Sequence, residues 1–114
     1  MTQHDDVRLR HMLDAARKAA SKASGKSAAD IAADEDLLLI LTRLLEILGE
    51  AAKNVSPEIR ERHPEIPWKQ ISGTRDRVIH RYFDVDPEVI WRIATEELPS
   101  LIPKLQEATQ SGSA

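Results

Sequence analysis

The sequence predicts an all-α fold, an up-down bundle of about five helices. Three observations lead there. Apolar residues recur at spacings of three and four, no run alternates with a period of two over a useful length, and helix start signals such as Ser56-Pro57-Glu58 and Asp86-Pro87-Glu88 punctuate the chain. At 114 residues there is material for one domain, since domains mostly run ~100 to 150 residues and a second core would not fit.

Between Val7 and Ala23, the residues Leu9, Met12, Leu13, Ala16, Ala19, Ala20 and Ala23 form one apolar face, with Arg10, Asp14, Lys18 and Lys22 between them. This is an amphipathic helix, expected to stop at Ser24-Gly25-Lys26-Ser27, where glycine offers a C-terminal stop. A second helix is expected from Ala28 to Asn54. Its apolar positions between Leu37 and Ala52 cover about half the cylinder, more than the ~100° stripe that one packing face needs. Arg43, Glu46, Glu50 and Lys53 hold the remaining side. The excess width calls for two neighbours; pattern alone leaves open whether one is another subunit or both belong to a monomeric bundle.

Ser56-Pro57-Glu58 opens a short helix because serine caps, proline is pre-set for the first helical position and an acid suits the N-terminal dipole; His63-Pro64 closes it. Pro67-Trp68 starts another turn, interrupted at Ser72-Gly73-Thr74, and a helical segment follows from Arg75 to Phe83. Asp86-Pro87-Glu88 starts a helix carrying Val89, Ile90, Ile93 and Ala94, which Pro99 is expected to divide from a last one holding Leu101, Ile102 and Leu105. Residues 1–107 thus read as a helical domain and 108–114 as a flexible tail.

Composition removes several function classes. With no cysteine there are no disulfides, zinc knuckles, iron-sulfur clusters or thiol catalysis. Four aromatic residues leave no stacking platform of the β-sheet kind. The start, Met1 to Asp6, is polar and acidic where a secretory signal needs a basic and then apolar stretch, and no segment reaches the ~18 apolar residues of a membrane span, so a cytoplasmic, membrane-free protein is expected. A net charge of −3 gives no bulk reason to bind nucleic acid, so such a role would rest on local charge.

That local charge lies between Arg75 and Tyr82, which reads Arg-Asp-Arg-Val-Ile-His-Arg-Tyr: three arginines and a histidine in an acidic protein. Asp76 and His80 are four apart, so on a helix the carboxylate can hold one imidazole nitrogen, raise its pKa and fix its tautomer. Arg75 is five from His80, roughly 140° away on a straight helix, so the two converge only through helix distortion, arginine's length or a second copy across a two-fold axis. Arginine and histidine suffice for RNA cleavage without a metal: a base takes the 2′-hydroxyl proton, the oxyanion attacks the phosphate, and a guanidinium stabilises the phosphorane. The bland alternative is a surface ion pair, with Tyr82 and Phe83 as packing aromatics.

The stretch from Val7 to about Glu107 resembles the HepT-type branch of the HEPN superfamily of small all-helical bacterial proteins. The resemblance rests on Arg8 to Ala15, Leu44 to Lys53, Pro64 to Trp68, and Arg75-Asp76 through His80 to Asp86. It implies a homodimeric, metal-independent endoribonuclease toxin, needing no cofactor, that cleaves tRNA or mRNA at a cleft shared by two motifs of the form Arg, four residues, His, any residue, Tyr. Arg75 and His80 would be catalytic, Asp76 the orienting group, and Arg77 and Arg81 RNA contacts. The implied partner is a nucleotidyltransferase antitoxin that silences the toxin by transferring AMP to Tyr82. Arg81 stands where many relatives carry glycine, which bears on RNA contact and on modification alike. The alternative is a non-catalytic helical module binding a nucleotide or partner through the same segment.

Other residues carry less. His4 and His11 are seven apart, with no carboxylate set to complete a metal site. Lys18, Lys22 and Lys26 form a row at spacing four, read as a solvated face with a phosphate guide as the minority reading. Trp68 and Trp91 read as packing anchors.

Overall fold

A computed structural model of the chain describes residues 3–79 and 84–112. Its helices are α1 (Gln3–Ala23), α2 (Ala28–Ala33), α3 (Glu35–Lys53), α4 (Pro57–Arg62), α5 (Trp68–Ser72), α6 (Thr74–Val78), α7 (Pro87–Arg92) and α8 (Leu98–Gly112), with a π turn over Ile93–Glu97 joining the last two. Among the described residues there is no strand; Ile79 and Val85 pair in an isolated antiparallel bridge. The fold is all-α, as its periodicity requires.

The long helices form the frame. α1 packs along α3 and α8, and α2 lies on α7. At the centre Leu9 and Met12 of α1 meet Leu41, Leu45 and Leu48 of α3 and Leu98 and Leu105 of α8, all essentially inaccessible. Each such side chain contributes ~1.5 to 3 kcal/mol of burial. Ala16, Ala19 and Ala23 continue the buried face of α1, where small side chains let helix axes approach closely.

Local chemistry sets the boundaries. Gly25 adopts φ +75° after α1, a left-handed stop that costs glycine nothing sterically. Ser27 and Asp30 form a reciprocal capping box on α2. The single helix expected from Ala28 to Asn54 is broken at Asp34, whose carboxylate accepts from Leu37 N–H at 3.1 Å and restarts the chain as α3. Ser56 and Asp86 cap α4 and α7 as expected, with Pro57 and Pro87 in the first turn.

Three further boundaries differ from expectation. The segment expected to be helical from Arg75 to Phe83 leaves the helix at Ile79 (φ −112°, ψ 116°), which bridges to Val85 instead. Pro99 does not divide the last helix. Leu98 N–H bonds to Ile93 O in the wider π register just before Pro99, which loosens the ladder where the proline ring would otherwise crowd the preceding turn, and α8 runs on through Pro103 as well. Finally, α8 runs to Gly112 and Ala108, placed at the head of a tail, is buried.

Candidate functional site

Arg75 is carried on α6, a helix of five residues held firmly at both ends. Upstream, the buried Trp68 donates its indole N–H to His63 O at 2.9 Å and Ile71 is buried beside it. Gly73 ends α5 and caps α6, and the buried Thr74 hydroxyl donates to Ile71 O at 2.6 Å, so the corner between the two helices is fixed. This corner lies against Gly49 of α3 so closely that a Cβ there would sit 3.1 Å from Ile71 O. Downstream, Val78 is fully buried.

The result is an exposed Arg75 beside the polar side of α3. It lines a cleft of about 180 Å³ with Ser72 and with Arg43, Glu46, Glu50 and Lys53. Among the described residues none of Arg43, Lys53 and Arg75 belongs to an ion pair. Sequence reasoning assigns Arg43, Glu46, Glu50 and Lys53 to the solvated side of the spine helix and misses them as site residues. The available signal was Gly49 in their midst, a helix-interior glycine that admits a close neighbour.

Arg77 turns the other way. Its guanidinium makes a two-pronged contact with Glu97 at the end of the π turn, Nη1 to Oε1 at 2.9 Å and Nη2 to Oε2 at 2.5 Å, and Gln70 donates to the same carboxylate at 3.1 Å. The hydrogen bonds that Arg77 donates to Glu97 raise its pKa above the ordinary value. Expected as an RNA contact, Arg77 is placed as a clamp between α6 and the π turn. Asp76, expected to orient a histidine, is exposed.

His80, Arg81 and Tyr82 lie outside the described residues. The chain on either side is fixed: Ile79 bridges Val85, and Asp86 N–H donates to Val78 O at 2.9 Å, so the two ends of this stretch are held together. Because Ile79 is extended, the helical i, i+4 relation invoked for Asp76 and His80 has no continuous helix to rest on. Among the described residues no three His, Cys, Asp or Glu side chains gather to hold a metal ion, and no helix is long and apolar enough to cross a membrane.

Comparison with known proteins gives the family of the chain. The family described as ribonuclease HepT-like matches residues 12–108. A protein of Caldanaerobacter subterraneus named "Putative RNase" is 39% identical over 102 residues, which cover 90% of this chain and 91% of that one. One from Thermococcus cleftensis, named "Probable ribonuclease HepT", is 41% identical over 78 residues, 68% of this chain and 71% of the relative. A Methanocaldococcus jannaschii protein named "Putative RNase" is 46% identical over 59 residues, 52% of this chain and 51% of that one. No solved structure matches the chain significantly.

Proposed function

The chain belongs to the ribonuclease HepT-like family, and from that membership we propose that it is a metal-independent endoribonuclease, the toxin of a toxin-antitoxin pair, acting as a cytoplasmic homodimer. The observation that carries this reading is Arg75: an exposed guanidinium, unpaired among the described residues, on a short rigid helix beside a cleft that also holds Arg43 and Lys53. Free guanidinium groups on fixed backbone are suited to the charge that grows on a phosphorane.

In the proposed reaction His80 takes the 2′-hydroxyl proton and O2′ attacks the adjacent phosphorus. The bond from phosphorus to O5′ breaks, leaving a 2′,3′-cyclic phosphate, and a protonated imidazole returns a proton to the leaving 5′ oxygen. Two protomers would supply two Arg75-His80 pairs to one cleft, and Arg81 would add a phosphate contact. Leu39 and Ile40 of α3, 58% and 42% exposed, offer apolar surface for the partner subunit. Silencing would follow when a nucleotidyltransferase joins the α-phosphate of ATP to the Tyr82 oxygen and releases pyrophosphate. The added phosphate would then occupy the guanidinium groups that otherwise hold RNA.

The test is cleavage of total RNA by purified protein in excess chelator. Wild type is expected to give products, while Arg75→Ala and His80→Ala give none and remain dimers in sedimentation. Full cleavage by either variant removes the mechanism. Binding without products would instead make the chain a non-catalytic module.

A further inference from the structure

The Arg75 cleft does not end at α3. It shares Arg43 and Glu50 with a neighbouring cleft of about 240 Å³, to which α1 contributes Arg8 and His11. That cleft shares His11 and Ile47 with a third, of about 160 Å³, which reaches Asp14 and Lys18. Shared walls make these one groove along the α1/α3 face, running from Arg75 to Lys18. Its α1 side alone, from Arg8 to Lys18, spans ~15 Å of helix.

The lining is unlike the rest of this acidic protein. Five full cations, Arg8, Lys18, Arg43, Lys53 and Arg75, face three carboxylates, Asp14, Glu46 and Glu50, in a chain whose net charge is −3. Among the described residues none of the five cations is in an ion pair, so the carboxylates moderate the local potential without occupying the donors. Between the charges, Ala15, Leu44, Ile47 and Ala51 give an apolar lining on which a base can lie.

We propose that this groove carries the RNA strand away from the scissile phosphate, with Arg8, His11 and Arg43 forming a phosphate-binding subsite. This rests on the ribonuclease reading above and extends it to residues outside the Arg75–Tyr82 segment. Guanidinium forks bind phosphate oxygens two at a time, and the His11 ring, exposed at the junction of two clefts, adds a further donor. Along its α1 part, away from the Arg75 end that two protomers would share, a second copy of the chain is the less fitting occupant, because a two-fold contact there would set Arg8, Lys18 and Arg43 against their own copies. The exposed Leu39 and Ile40, suited to such a contact, are not among the groove's lining residues.

The test uses the full-length His80→Ala protein, so that RNA stays intact, and a fluorescein-labelled single-stranded RNA oligonucleotide titrated at several salt concentrations. Adding Arg8→Ala and His11→Ala together is expected to weaken binding roughly tenfold and to reduce the slope of log K against log salt by ~0.7 for each phosphate that the protein no longer neutralises. Arg8→Gln, which keeps the length of the side chain, is expected to reproduce the fall in slope if the double variant folds poorly. Arg10→Ala, on α1 but outside the groove, is the control and is expected to change neither quantity. Unchanged affinity and slope would overturn the proposal, and so would conversion to monomers, which would make the groove a subunit interface. Failure of wild type to cleave RNA, while the variants still bind more weakly, would instead remove the ribonuclease reading and leave the groove as a nucleic-acid site.

Discussion

Replacing Gly49 by alanine sets two effects of known size against each other. Alanine in a helix interior is favoured over glycine by ~1 kcal/mol. The new Cβ, however, would stand 3.1 Å from Ile71 O and 3.7 Å from the Thr74 Cβ, so the corner between α5 and α6 must yield by a few tenths of an ångström. That carbonyl is not free to swing, since it accepts the Thr74 hydroxyl at 2.6 Å and the Gly73 N–H. Overpacking of this kind costs ~1 to 3 kcal/mol, which leaves a net destabilisation of ~0 to 2 kcal/mol. Activity is expected to suffer more, because Arg75, catalytic in the proposed reaction, rides on the displaced corner and a ~1 Å misplacement of such a group can cost ~100-fold; a smaller shift is expected to lower cleavage about threefold to tenfold. Urea unfolding at fixed protein concentration and RNA cleavage on the same preparation measure both. A gain of the full ~1 kcal/mol with cleavage unchanged would refute the close approach of α3 to α6 and its role in holding Arg75.

Asp5→Ala should cost ~2 kcal/mol in urea unfolding, since the Asp5 carboxylate, 2% exposed, accepts from both the N–H and the hydroxyl of Ser56 at 2.8 Å and ties the start of α1 to α4. Glu97→Gln should cost ~1 kcal/mol, a figure kept small because both partners are about one-third exposed, and should lower cleavage severalfold through loosening of α6; no change in either would show that the clamp is idle. The Asp30 carboxyl is held below its ordinary pKa by the backbone N–H and side chain of Ser27. Its capping contribution is therefore fully present above the ordinary carboxylate pKa and lost as pH falls through the depressed value, so amide exchange in α2 should accelerate at that acidic end and Asp30→Asn should remove the pH dependence.

The legible parts of this fold are those decided by neighbours in sequence. Ser56-Pro57, Asp86-Pro87, Gly25 and the Ser72-Gly73-Thr74 break all act within a few residues, and each stands where the sequence places it. Asp34 was legible in the same way, being a capping residue followed by two acids, but the apolar run behind it dominated the pattern. Other features depend on distant partners. Asp5 reads as a polar residue of the N-terminus until Ser56 is brought to it, and Pro99 reads as a stop until the π turn changes the register. At the site, the sequence singled out Arg75, which the fold leaves exposed in a cleft. It had no means of seeing that α3 would supply the other wall.

The three arginines of the Arg75–Tyr82 segment look alike in sequence, and the fold separates the two it describes by geometry alone. Residues two apart on a helix point ~200° from each other, so whichever element captures one directs the other to the opposite side. Glu97, which also accepts from Gln70, captures Arg77 on the side of the π turn. Arg75 is thereby turned towards α3, where Gly49 lets the corner come close and Arg43 and Lys53 are waiting. The π turn, which removes an ordinary helical bond at Leu98, thus ends at the residue that sets the direction of α6. A local loss in helix geometry and the exposure of a cation on the far side of a short helix belong to one arrangement. It follows that a change at Glu97, in direct contact with Arg77 and Gln70, would be felt at Arg75 through the orientation of the helix rather than through charge.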